Sequence, residues 1–135
     1  MAEAKLARSR PLSPHLSIYR MQINMFMSIV HRITGAANYV GTLLLVAWLL
    51  SVALGPRQYA AVNDLLSHPI GLLVAFGYTW SVLHHMFGGM RHFVWDTGRG
   101  FSIEQVNRLS WLTILLSLAT TVAIWAYALS SRGVI

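Results

Sequence analysis

The chain has 135 residues, of which 56% are hydrophobic and 10% charged; it has no cysteine and a formal net charge of +6. A typical soluble domain carries roughly a quarter charged residues, so this balance points to one membrane-embedded unit. Without cysteine the chain can hold no disulfide, thiolate zinc site or iron–sulfur cluster. Its basic residues flank apolar segments instead of gathering on a polar domain, which suits phospholipid headgroups and excludes nucleic acid as a partner.

Residues 1–28 form a polar N-terminal segment. Its opening, MAEAKLARSRPLSPHLSIYR, contains Pro11 and Pro14 and lacks the short apolar core and small-residue cleavage site of a secretory signal, so the first hydrophobic stretch is expected to be retained. The remainder, 29–135, reads as a single transmembrane domain with helices at about 29–54, 70–94 and 109–128, each near the ~20 residues a bilayer requires. Between the first two lies GPRQYAAVNDLLSHP, an interruption with turn residues Gly55, Pro56 and Pro69 at its edges; DTGRGFSIEQVNR links the second and third. The third span has no charged residue and carries Trp111 near one end and Trp125 and Tyr127 near the other, an aromatic-belt pattern. The expected fold class is therefore an all-α membrane protein with three transmembrane helices. Lys5, Arg8, Arg10 and Arg20 precede the first span, and Arg99 and Arg108 separate the second from the third; only Arg57 and Arg132 fall on the other side. The positive-inside rule then predicts a cytoplasmic N-terminus and a C-terminus on the opposite side.

That topology brings the start of the first span, SIVHRITG, to the same membrane face as the end of the second, HHMFGGMRHFVWD. Ser28, His31, Arg32, His84, His85, Arg91, His92 and Asp96 converge there, although ionisable groups in hydrocarbon are costly and are retained for a function. His85, Gly88, Gly89 and His92 share one helical face, and the glycines beside an imidazole suggest a flat recess for a planar macrocycle. Haem iron takes such a ligand. His84, ~100° around the helix, is an alternative ligand, and either histidine could instead hydrogen-bond between helices. On the first span Ser28 and Arg32 sit one turn apart at the edge of an apolar region, followed on the same stripe by Gly35 and Tyr39, with His31 and Asn38 flanking. A hydroxyl donor and a fixed cation there suit a quinone head group, whose ring stays in apolar surroundings while its oxygens receive hydrogen bonds. Arg32 could also simply snorkel, Asp96 with Arg91 could terminate a helix at the headgroups, and Ser117 with Thr121 reads as packing. His15 and His68 lie in polar segments and carry no signal of their own.

RPLSPHLSIY, SIVHRITG and HMFGGMRHFVWD, taken together, resemble the cytochrome b membrane-anchor subunit of succinate dehydrogenase in respiratory complex II. The patterns S-x-x-H-R-x-[TS]-G and H-x-x-x-G-x-R-H-x-x-x-D are both matched without a gap, and the likeness runs through the whole chain. It implies that His85, seven residues before His92, is the axial ligand of a haem b; that Ser28 and Arg32 line a ubiquinone site; and that His31 and Arg32 meet the haem propionates. The third span offers no histidine, so the resemblance implies a second ligand from a smaller sister anchor. Succinate oxidation would then belong to a flavoprotein and an iron–sulfur subunit, with this chain passing electrons to quinone in respiratory electron transport and the tricarboxylic acid cycle. The expected location is the bacterial inner membrane, with the mitochondrial inner membrane as the alternative. The rival readings are the anchor of a quinol-oxidising fumarate reductase and a small proton- or ion-transporting membrane protein.

Overall fold

A computed structural model describes residues 19–133, all of whose regular elements are α-helices. They are α1 (Ile23–Leu54), α2 (Pro56–Ser67), α3 (Pro69–Asp96) and α4 (Ile103–Ser131). The motif residues before Tyr19, and with them Lys5, Arg8, Arg10 and His15, lie outside the described residues. Helices α1, α3 and α4 are each long and apolar enough to cross a membrane.

All three outrun their apolar stretches. Helix α1 starts at Ile23 because Ile-Asn-Met-Phe-Met-Ser contains neither proline nor glycine, and Met27 already packs inside the bundle. At ~1.5 Å per residue its 32 residues exceed the roughly 30 Å hydrocarbon core, which leaves the turn holding Ser28 close to the interface. Helix α4 begins at Ile103, where a capping box forms: the Ser102 hydroxyl accepts from the Gln105 amide at 3.3 Å, and the Gln105 side chain accepts from the Ser102 amide at 3.4 Å.

The stretch read as an interruption is the short helix α2. Gly55 ends α1 at φ 117°, a conformation glycine adopts freely, and Pro56 then begins α2 at a first-turn position that needs no backbone donor. His68 ends α2 and caps α3, its ring accepting from the Ile70 amide at 3.3 Å, with Pro69 opening the new helix.

Helix α3 is central, packed against both α4 and α1. The interior is polar and small rather than oily. Among the described residues Met27 is the sole buried hydrophobic side chain, while Thr34, Ser51, Ser81, His84, Arg91, Ser110, Thr113, Ser117 and Thr121 are all buried. Lipid offers leucine as apolar a setting as a protein core does, so close packing and hydrogen bonds, not hydrophobic burial, hold such helices together. On α1 the buried Met27, Thr34 and Gly41 recur every seven residues, and on α4 Ser110, Thr113, Ser117 and Thr121 form one stripe. Gly41 is needed for close approach: a Cβ there would lie 2.0 Å from the Tyr78 ring. Across the same interface Ser81 donates to the Asn38 side-chain oxygen at 2.8 Å, with the Thr34 carbonyl at 3.1 Å. Between α3 and α4, the Trp125 indole donates to the Thr79 hydroxyl at 3.2 Å.

Candidate functional site

The antiparallel packing of α1 and α3 puts His85 beside the first turns of α1. Its Nδ1 lies 3.1 Å from the carbonyl oxygen of His31 and 3.5 Å from the Thr34 hydroxyl. A carbonyl oxygen only accepts, so Nδ1 carries the proton and Nε2 keeps its lone pair. Metal-bound histidines are typically oriented in this way, by donation from the second nitrogen to a backbone carbonyl. Gly35 makes the seat possible: a Cβ at that position would meet the His85 ring at 3.0 Å. The glycine that closes SIVHRITG is therefore a contact surface for the imidazole.

The double glycine behaves differently from the expected shared recess. The ring of His31 occupies the space at Gly88, where an added Cβ would lie 2.4 Å from His31 Nδ1. It also stacks on His85 with centroids 3.9 Å apart and planes 5° from parallel. Gly89 has nothing within 4 Å of where a Cβ would be, so of the two adjacent glycines only Gly89 borders open ground. His92 is exposed, its ring 5.4 Å from His31 and edge-on to Trp95.

His84 points away from this group. Its ring is 1% exposed, its Nδ1 is 3.2 Å from the Ser117 hydroxyl on α4, and its Nε2 is buried without a partner. No planar macrocycle could reach that nitrogen without parting α3 from α4, whereas His85 is half-buried at an open face. The donor set fits a haem at His85 and does not fit one at His84.

Ser28 and Arg32 are both exposed on α1, one turn apart and free of hydrogen bonds and ion pairs among the described residues. His31 and His85 are thus in contact, while Ser28 and Arg32 lie on the open side of the same helix. Tyr39, the end of that stripe, is also exposed. Arg91 does not pair with Asp96 at the helix end. It is 5% exposed, donates to the Ser110 hydroxyl at 3.1 Å and lies 4.9 Å over the Trp95 ring. Gly35 and Ser117 seat the two histidines, roles that helical spacing does not reveal because it cannot say which neighbour each face meets. A separate cavity of about 340 Å³, lined by Trp48, Tyr59, Asn63, Trp125 and Arg132 among others, lies toward the other end of the bundle and contains no histidine.

Comparison with known proteins gives a consistent result. A family model described as succinate dehydrogenase/fumarate reductase transmembrane subunit matches residues 7–124. The chain is 38% identical over 121 residues to the succinate dehydrogenase cytochrome b556 subunit of Rickettsia prowazekii (strain Madrid E), covering 90% of this chain and 94% of the relative. It is 34% identical to the protein of the same description from Paracoccus denitrificans, covering 84% of this chain and 88% of the relative. Similarity extends to the mitochondrial succinate dehydrogenase cytochrome b560 subunit of Sus scrofa, at 35% identity over 90% of this chain and 73% of the relative.

Proposed function

This chain belongs to the succinate dehydrogenase/fumarate reductase transmembrane subunit family, and from that premise we propose that it is a membrane anchor of complex II that holds a haem b jointly with a sister anchor and helps form the ubiquinone-reduction site. The observation that carries the haem assignment is the His85 hydrogen bond. With Nδ1 donating to the His31 carbonyl at 3.1 Å, Nε2 is left unprotonated, with its lone pair available to a metal. The cytochrome b description of the relatives supports the same cofactor. Haem b, when bound, would supply a reversible one-electron store.

This chain's own residues do the rest. Ser28 offers its hydroxyl proton to a quinone oxygen, and Arg32, one turn along, offers a charged, planar donor set. Charge-assisted hydrogen bonds strengthen as negative charge builds on the acceptor, so this pair favours the reduced ring over the oxidised one. Exposed Ile29 and Ile33 on the same helix supply an apolar flank for the ring. His31, held against Gly88, would hold the haem propionates together with Arg32. The sister anchor would complete the hold on the haem, and electrons would reach the quinone from the iron–sulfur subunit, itself reduced by the flavoprotein. The N-terminus and the histidine-bearing end of the bundle face the cytoplasm of a bacterial inner membrane, in line with the basic residues flanking them. The relatives' descriptions as succinate dehydrogenase subunits favour quinone reduction over quinol oxidation.

The test is a dithionite-reduced minus oxidised visible spectrum of the complex purified in mild detergent. Wild type should give a b-type signal, His85→Ala should lose it, and His84→Ala should keep it. The reverse ranking would move the ligand to His84. A flat spectrum from intact wild-type complex would remove haem from the proposal.

A further inference from the structure

Arg91 is a membrane-embedded cation without a counter-charge. It is 5% exposed, its one hydrogen-bond partner is the neutral Ser110 hydroxyl, and its Nε has no partner. The only ion pair among the described residues joins Arg108 to Glu104. A buried charge in this state is strongly destabilising unless an anion completes it. The Trp95 ring at 4.9 Å offers only partial compensation.

Arg91 also lines a groove of about 200 Å³ between α3 and α4, whose other walls include Phe87, Met90, Val94, Leu112 and Leu116. The groove combines one cation with apolar walls. Arg91 stands five residues before the end of α3 at Asp96, ~8 Å along the axis, which puts it just beneath the headgroup layer. It lies on a different side of α3 from His85: Arg91 meets α4, whereas His85 meets α1. The groove is thus distinct from the haem and quinone face.

We propose that this groove is a binding site for an anionic phospholipid, with the phosphate paired to Arg91 and an acyl chain lying along the Phe87–Leu116 wall. The charge complementarity selects an anion, and the apolar walls select one that carries a hydrocarbon chain; a free phosphate would have to leave water for a groove with little else to bind it. Basic pockets between membrane helices recognise lipid headgroups on this principle. The bound lipid neutralises Arg91 and ties α3 to α4 at the end of the bundle that carries the histidines.

The whole complex, delipidated in detergent, would be titrated with phosphatidylglycerol and separately with phosphatidylcholine, and bound lipid counted by native mass spectrometry. Wild type should hold one phosphatidylglycerol about tenfold more tightly than phosphatidylcholine, the scale of a hydrogen bond to a charged group. Arg91→Gln should erase that preference. Leu112→Trp, which fills the groove while leaving the cation in place, should remove the site altogether, and it carries the test alone if Arg91→Gln fails to assemble. Equal phosphatidylglycerol binding by wild type and Leu112→Trp would overturn the proposal. So would equal affinity of wild type for the two lipids, or a crosslink from Leu112 showing the groove covered by another subunit.

Discussion

The two adjacent glycines of α3 offer a sharp test of the packing, because their surroundings differ while their sequence context does not. An added methyl at Gly88 would sit 2.4 Å from His31 Nδ1 and 2.9 Å from its Cε1, so the ring would have to retreat about 1 Å to reach an ordinary 3.4 Å contact. It has little freedom to do so, since its ring is stacked on His85 at 3.9 Å. Overpacking of this kind costs about 1–3 kcal/mol. At Gly89 nothing lies within 4 Å, and alanine would recover the ~0.5–1 kcal/mol that glycine costs a helix. Gly88→Ala should therefore lower the thermal midpoint of the purified complex and its haem content per complex, whereas a methyl at Gly89 would leave His31 in place and enter the open ground beside His85, lowering haem content alone. Both would be read at one fixed scan rate, with haem absorbance as the probe. An unchanged midpoint and haem content in Gly88→Ala would refute the placement of His31 against α3.

Three further outcomes follow from the same geometry. Ser28→Ala and Arg32→Leu should each cut quinone reduction about tenfold or more while succinate oxidation by an artificial dye acceptor stays at wild-type rate; a parallel loss of both activities would refute a quinone-specific role. Trp125→Phe removes the 3.2 Å hydrogen bond to Thr79 and should destabilise the complex by about 1 kcal/mol, measurable as a lower denaturation midpoint with an unaltered haem spectrum. Glu104→Gln breaks an exposed pair with Arg108 and should shift that midpoint by no more than the scatter of repeat scans, since such surface pairs contribute little.

The three spans and their all-helical class were legible because unbroken apolar runs report directly on lipid exposure. The same signal is silent about α2, whose residues are too polar to stand out and whose bounding Gly55, Pro56 and Pro69 look the same around a turn as around a short helix. At the candidate site, spacing brought His31, His85 and the glycines to one end of the bundle, but it treats every helical face alike. Only the neighbours distinguish His84, turned to Ser117, from His85, turned to His31. Arg91 shows the same limit. Its closeness to Asp96 in sequence suggested a helix end at the headgroups, yet its rotation around α3 carries it inward to Ser110. His68, which carries no signal of its own in the sequence, caps α3, with Pro69 opening the helix beside it.

The polar interior also bears on how the chain is assembled during synthesis. Thr34, Ser110, Thr113, Ser117 and Thr121 each donate to a carbonyl of their own helix, so a lone helix enters lipid with these hydroxyls already satisfied. Arg91 and His84 have no such internal partner: the groups they bond, Ser110 and Ser117, arrive later, on α4. Helix α3 is therefore poorly suited to wait in the bilayer alone, and it should pass from the insertion machinery as a hairpin with α4, whereas α1 can leave first.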